Sequence, residues 1–174
     1  IVIGLVGNDE KAAYVKNLGV QHVINHQKQN YLEYVQKHIS CKNDVVIGDV
    51  GGSSIKKAKS ILAPGGRIVT LGAAAHSCKH GKLNLIKLGI GFGWFSPIPF
   101  LGKSQAFIGV NMLKLADHRP DMVAQGFKEV QKLYEMNVLK PHVGNIYPHT
   151  QLGKAHEVIQ DRKGIGKIVV RWGN

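Results

Sequence analysis

The chain has 174 residues, with 23 Lys and Arg against 11 Asp and Glu, a formal charge of +12. Its composition, 44% hydrophobic and 20% charged, supplies enough apolar material for a buried core and excludes intrinsic disorder. Cys41 and Cys78 are the only cysteines; so few exclude a disulfide scaffold and are expected to be reduced thiols in the cytoplasm.

A pI near 9.8 admits nucleic acid, an anionic membrane or an anionic small ligand. Nucleic-acid binding calls for clustered basic residues with interleaved aromatics. Here the lysines run the whole length, as at Lys11, Lys56, Lys128 and Lys163, so no nucleic-acid partner is expected. The stretch from Leu83 to Leu101 is the most apolar, but Lys87, Pro97 and Pro99 interrupt it. It is too broken for a spanning helix and is expected to be a hydrophobic loop or short helix lining a pocket, with membrane contact as the alternative. No basic leader precedes the opening Ile1-Val2-Ile3, so no signal peptide is expected.

In chain order, Ile1 to Val6 reads as a strand, and Asn8 caps a helix from Asp9 to Leu18 that Gly19 ends. A short strand at Val23-Ile24 and an amphipathic helix from Tyr31 to Ile39 follow. Asp44 to Asp49 holds the wholly apolar Val45-Val46-Ile47. Ser53 or Ser54 then caps a helix to Leu62, and Pro64-Gly65-Gly66 turns into a strand from Arg67 to Leu71. Ala106 to Asn111 is a further strand, and Asp121 to Asn137 a long helix whose Val123, Phe127, Val130, Leu133 and Tyr134 recur at helical spacing. The tail reads as a strand from Val143 to Tyr147, a helix from Leu152 to Gln160 and a strand from Ile168 to Trp172.

Nearly all-apolar strands alternating with helices predict an α/β fold with a doubly wound parallel sheet. Ligands in such folds bind beyond the carboxyl ends of the strands, which directs attention to Gly7-Asn8, Asn25-His26, Asp49-Val50-Gly51 and Leu71-Gly72-Ala73. The glycine-rich G-x-G-x-x-G turn of dinucleotide folds does not occur. Gly89-Ile90-Gly91-Phe92-Gly93 lacks its last glycine, and Asp161 and Ile168 spoil Gly164-Ile165-Gly166-Lys167 as a phosphate loop.

Several spaced motifs nevertheless occur in order. Val2-Ile3-Gly4-Leu5-Val6-Gly7-Asn8-Asp9-Glu10-Lys11, Asp44-Val45-Val46-Ile47-Gly48-Asp49-Val50-Gly51-Gly52 and Leu62-Ala63-Pro64-Gly65-Gly66-Arg67-Ile68-Val69-Thr70-Leu71-Gly72 resemble the medium-chain dehydrogenase/reductase family. Leu139-Lys140-Pro141-His142-Val143 and Gly166-Lys167-Ile168-Val169-Val170 look like its quinone oxidoreductase branch, and the apolar insert before Ala106 is similar to that of the vesicle-amine-transport-like members.

The resemblance implies a Rossmann-type dinucleotide-binding domain over residues 1–138, without its first strand and glycine-rich turn, and a return to the catalytic domain over 139–174. On that basis the chain is expected to be the second half of a longer enzyme and inactive alone. It further implies hydride transfer from NADPH to a quinone or an α,β-unsaturated carbonyl. An NAD enzyme ends the corresponding strand with an acid that binds the ribose hydroxyls; here that position is Val6. Gly7 leaves room, and Asn8 and Lys11 stand at a helix start, where phosphate is favoured. By resemblance Lys11 and His26 would hold the 2′-phosphate. Asp49, Val50 and Gly51 would flank the adenine. Leu71, Gly72 and Ala73 would lie at the nicotinamide end, and Val110, Asn111 and Met112 would form another cofactor-side loop. Trp94 and Phe95 are candidates for a substrate-pocket wall. The family dimerises through an edge strand corresponding to Phe107 to Asn111, so a homodimer is expected.

No general acid is identified in this chain and no metal is expected, because His76-Ser77-Cys78-Lys79-His80 is weak as a ligand cluster. A zinc-dependent alcohol dehydrogenase of the same family and a non-catalytic, membrane-associated member are the alternatives.

Overall fold

In the computed structural model, which describes residues 1–48, 53–71 and 98–173, strands and helices alternate from the start of the chain. The order is β1 (Ile3–Val6), α1 (Asp9–Asn17), β2 (His22–Asn25), α2 (Tyr31–His38), β3 (Asn43–Gly48), α3 (Ser53–Ser60) and β4 (Leu62–Thr70). Then come α4 (Ile98–Leu101), β5 (Ala106–Gly109) and α5 (Met112–His118). These elements belong to a compact unit, Ile1–His118.

Among the described residues every strand pair is parallel. β1 runs beside β2, from Ile3 opposite His22 to Val6 opposite Asn25. β4 lies between β3 and β5, with Ile68 opposite both Val46 and Phe107. Parallel neighbours need crossover connections, and helices supply them between β1 and β2 and between β3 and β4. The result is the α/β plan expected from the alternating pattern.

Local chemistry sets the helix starts. The Asn8 side chain accepts a hydrogen bond from the Lys11 N–H at 2.8 Å, with Asp9 and Glu10 in the first turn of α1 and Lys16 in its last. These charges complement the helix dipole. Gly19, at φ +86°, takes the left-handed conformation that ends such a helix. Asn30 caps α2 by accepting from the Leu32 N–H, and its amide donates to Glu33.

Two apolar clusters hold the unit together. One joins Ile24, Val35, Ile39 and Ile61; the other joins Ile55, Ala58, Leu62 and Ile68, with Val46 and Phe107 packed against it. The neighbours Ile61 and Leu62 serve different clusters, so the joint between α3 and β4 ties them together. Phe100 of α4 meets Phe107 edge to face, with ring centroids 6.5 Å apart, and Lys59 Nζ lies 4.5 Å from the Phe100 ring centre.

The predicted turn at Pro64-Gly65-Gly66 is a bulge inside β4. Asn43 opposes Leu62 and Val45 opposes Arg67, so extra residues on β4 are thrown out of register. Gly65 has φ +76°, and a Cβ on Gly66 would sit 2.7 Å from Leu62 Cγ and 2.9 Å from the Ala63 carbonyl oxygen. The strand expected to reach Asn111 ends at Gly109, because the Asn111 side chain accepts from the Lys114 N–H at 3.2 Å and starts α5. Pattern alone did not reveal α5, whereas α4 is a short helix within the apolar stretch.

A second unit, Arg119–Asn174, contains α6 (Pro120–Glu135), β6 (Val143–Pro148), a 3₁₀ turn at His149–Gln151, α7 (Leu152–Gln160) and β7 (Lys167–Arg171). β6 and β7 pair in parallel around an irregularity between Val143 and Asn145. Pro120 suits the first turn of α6, where no N–H is needed, and Asn137 follows its end at φ +59°. His149 stacks on Trp172 with ring centroids 5.2 Å apart.

Candidate functional site

The carboxyl ends of β1 and β2 bring four of the sequence-predicted residues together. β1 stops at the buried Val6, whose carbonyl accepts from the His26 N–H at 3.0 Å. That bond fixes the residue after β2 beside the residue after β1. A Cβ on Gly7 would lie 3.7 Å from His26 Nε2, so the imidazole stands against the glycine. Asn8 follows in extended conformation, and its side chain occupies the Lys11 N–H. The N–H groups of Asp9 and Glu10 remain as the first-turn donors that no intrahelical carbonyl can reach.

Asp9, the first residue of α1, is tied to the end of β2 and the turn after it. Asn25, which is buried, donates from Nδ2 to one carboxylate oxygen of Asp9 at 2.7 Å, and Lys28 Nζ hydrogen-bonds the other. The bonds from Lys28 and then Asn25 hold the Asp9 carboxyl below its ordinary range. Asn25 also accepts from the Gln27 N–H at 3.1 Å, which shapes the turn that carries Lys28. The anion that would repel a phosphate at this helix start is therefore engaged by a cation from the neighbouring strand end. Its signal in the sequence is the polar run Asn25-His26-Gln27-Lys28 directly after a strand.

The other strand ends lie in the same unit. The Leu71 N–H donates to the Gly48 carbonyl at 3.3 Å, and the Val110 N–H to the Thr70 carbonyl at 2.8 Å. Leu71 and the run from Val110 to Met112 thus emerge at the carboxyl ends of β4 and β5, side by side. Asp49, Val50, Gly51, Gly72, Ala73, Trp94 and Phe95 lie outside the described residues. His26, Lys28 and Gly48 line one groove of about 1450 Å³, which connects the ends of β2 and β3.

This arrangement can hold an anionic, nucleotide-like ligand: Gly7, the N–H groups at the start of α1 and the His26 imidazole gather at one strand end, where Lys28 engages Asp9. Among the described residues no three His, Cys, Asp or Glu side chains gather as metal ligands, so those residues do not compose a zinc site; His76, Cys78 and His80 lie outside them. His22 is engaged with Tyr34, Nδ1 to Oη at 3.4 Å. Among the described residues no helix is long and apolar enough to cross a membrane.

The sequence profile of the zinc-binding dehydrogenases matches residues 18–170. The synaptic vesicle membrane protein VAT-1 homolog of Homo sapiens is 29% identical over 160 residues, 90% of this chain and 40% of that protein. The quinone oxidoreductase of Homo sapiens is 25% identical over 171 residues, covering 97% and 46%. Among solved structures, the quinone oxidoreductase from Thermus thermophilus, determined also in complex with NADPH, superposes with a TM-score of 0.69 at 22% identity, over 98% of this chain and 49% of that one. The chain spans less than half the length of these proteins.

Proposed function

The chain belongs to the zinc-binding dehydrogenase family, within the medium-chain dehydrogenase/reductases, and we propose that it is the dinucleotide-binding part of an NADPH-dependent reductase of quinones or α,β-unsaturated carbonyls. The family are oxidoreductases of Rossmann-type fold; the cofactor and substrate class are our reading. One observation carries it: the first strand ends in Val6 rather than an acid, beside Gly7, His26 and the Lys11-bearing start of α1, while Lys28 engages Asp9.

In this reading Lys11 and His26 hold the 2′-phosphate, aided by the Asp9 and Glu10 N–H groups and the α1 dipole. Asn8 fixes the helix start, and Gly7 lets the ribose approach the backbone. Asp49, Val50 and Gly51 flank the adenine. Leu71, Gly72, Ala73, Val110, Asn111 and Met112 bracket the nicotinamide end, and Trp94 and Phe95 wall the substrate. When bound, the reduced nicotinamide supplies a hydride; the protein supplies orientation and exclusion of water. No side chain of this chain is assigned a proton transfer. The dinucleotide-binding domain covers residues 1–138, with 139–174 returning to a catalytic domain, and a longer, cytoplasmic homodimer is the active form. The 174 residues alone are expected to be inactive.

Calorimetric titration with NADPH and NADH tests the cofactor assignment. NADPH is expected to bind at least ten times more tightly; equal affinities overturn it. The likeness to a synaptic vesicle membrane protein and the +12 charge favour one second reading, a membrane-associated member without turnover. Binding to anionic vesicles, with no quinone reduction by the full-length protein, would select it.

A further inference from the structure

Lys28 is held at its backbone and exposed at its tip. Its N–H and that of Gln29 both donate to the Asn25 carbonyl at 3.0 Å, and the Gln27 N–H donates to the Asn25 side chain at 3.1 Å. One buried asparagine thus fixes the turn after β2. The Lys28 side chain is 65% exposed, and its ammonium group reaches across to the Asp9 carboxylate at the start of α1. Lys28 shares the wall of one groove with His26, whose imidazole stands against Gly7. An anion taken up by the first-turn N–H groups of α1 therefore meets the Lys28 ammonium as well as the Asp9 carboxylate.

Asp9 does not depend on Lys28 alone. Asn25 Nδ2 donates to its other carboxylate oxygen at 2.7 Å, and the first turn of a helix favours an acid. Withdrawal of the ammonium leaves Asp9 with that donor and with water, since its side chain is exposed. A phosphate monoester carries nearly two negative charges at neutral pH, against one on the carboxylate, and the pull on an ammonium scales with that charge. A lysine is a point charge on a flexible four-carbon stem, so it can change partners while the turn beneath it stays fixed.

We propose that Lys28 determines cofactor selectivity by passing from the Asp9 carboxylate to the phosphate on the cofactor's ribose when the dinucleotide binds; this rests on the NADPH reading of the site. No covalent bond and no proton changes hands, because one N–H···O contact replaces another. Asp9 is the internal competitor that holds the ammonium at the start of α1 before the ligand arrives. NADH has a hydroxyl at that position and does not draw the lysine away. The pair thereby adds a cation to the site for the phosphorylated cofactor only.

Calorimetric titration of the full-length protein with NADPH and NADH tests this on the wild type, Lys28→Ala, Asp9→Asn and the double variant. Both side chains are exposed, so none of the variants removes a core contact. Asp9→Asn is expected to tighten NADPH about threefold by removing the competitor. Lys28→Ala is expected to raise the NADPH Kd at least tenfold alone, and at least fivefold on top of Asp9→Asn, the size of a lost hydrogen bond to a charged group. NADH is expected to change less than twofold throughout. A Lys28→Ala loss that vanishes on top of Asp9→Asn means that the lysine only covers the acid, and overturns the proposal. An equal loss for NADH overturns it too. Both of those results leave the wild-type preference for NADPH standing, whereas equal wild-type affinities overturn the cofactor assignment itself.

Discussion

Lys28 and Asp9 stand 19 residues apart in sequence, Asp9 opening the helix after β1 and Lys28 in the turn after β2, and the ammonium group hydrogen-bonds the carboxylate. Both side chains are 65% exposed, so the pair contributes little to stability; its effect is on local charge. The Asp9 carboxyl is held below its ordinary range. The interaction is therefore complete at neutral pH and is lost as pH falls through that depressed value. NMR titration is expected to show Asp9 protonating below ordinary aspartates, and Lys28→Ala is expected to move it back up. In the same variant the uncovered carboxylate should weaken NADPH more than NADH.

Lys11 carries the sharpest prediction about the ligand. Lys11→Ala is expected to raise the Kd for NADPH about tenfold, roughly 1.4 kcal/mol, while NADH changes less than twofold. His26→Ala should act in the same direction. Equal losses for the two dinucleotides would remove the phosphate role from these side chains. Asn8→Ala, by contrast, removes a helix cap and is expected to cost about 1 kcal/mol in denaturant unfolding.

Gln105 is buried, and its amide nitrogen donates to the carbonyls of Leu62 and Ala63, both at 3.1 Å. It pins the start of β4 to the residue preceding β5. Gln105→Glu places a carboxylate against two carbonyl oxygens and is expected to destabilise the protein by about 1–3 kcal/mol at neutral pH. Burial and the facing carbonyls raise the pKa of the new acid, so the loss shrinks as pH falls and the group protonates. Unfolding midpoints at pH 5 and pH 8 check the sign.

Two glycines of the second unit should respond in opposite ways to alanine. A Cβ on Gly144 would collide with the Ile165 carbonyl oxygen, at the irregularity where β6 meets β7, so Gly144→Ala is expected to destabilise by about 2 kcal/mol or more. Gly126 lies inside α6 with nothing within 4 Å of an added Cβ, so Gly126→Ala is expected to stabilise by about 1 kcal/mol. Chemical denaturation of both variants tests the pair.

β5 ends the strand order β3-β4-β5, and Ile108 on it is 40% exposed. If the homodimer forms through this edge, Ile108→Lys in the full-length protein shifts the mass measured by light scattering from dimer to monomer. An unchanged mass would place the interface elsewhere.

Helix boundaries were legible in the sequence because they depend on neighbours within a turn. Asn8 and Asp9 start α1, Gly19 follows its end, and the predicted Leu152 to Gln160 coincides with α7. Apolar alternation with helices likewise sufficed for the α/β class, and spaced motifs for the family. Tertiary structure decided what depends on register between distant segments. It set His26 against Gly7 and tied Asp9 to Asn25 and Lys28. It joined Gln105 to carbonyls 43 and 42 residues away. A cap or a period is settled by residues already adjacent in the chain. Which strand ends become neighbours is settled only when the ladders form and the apolar clusters close around Ile24 and Ile68.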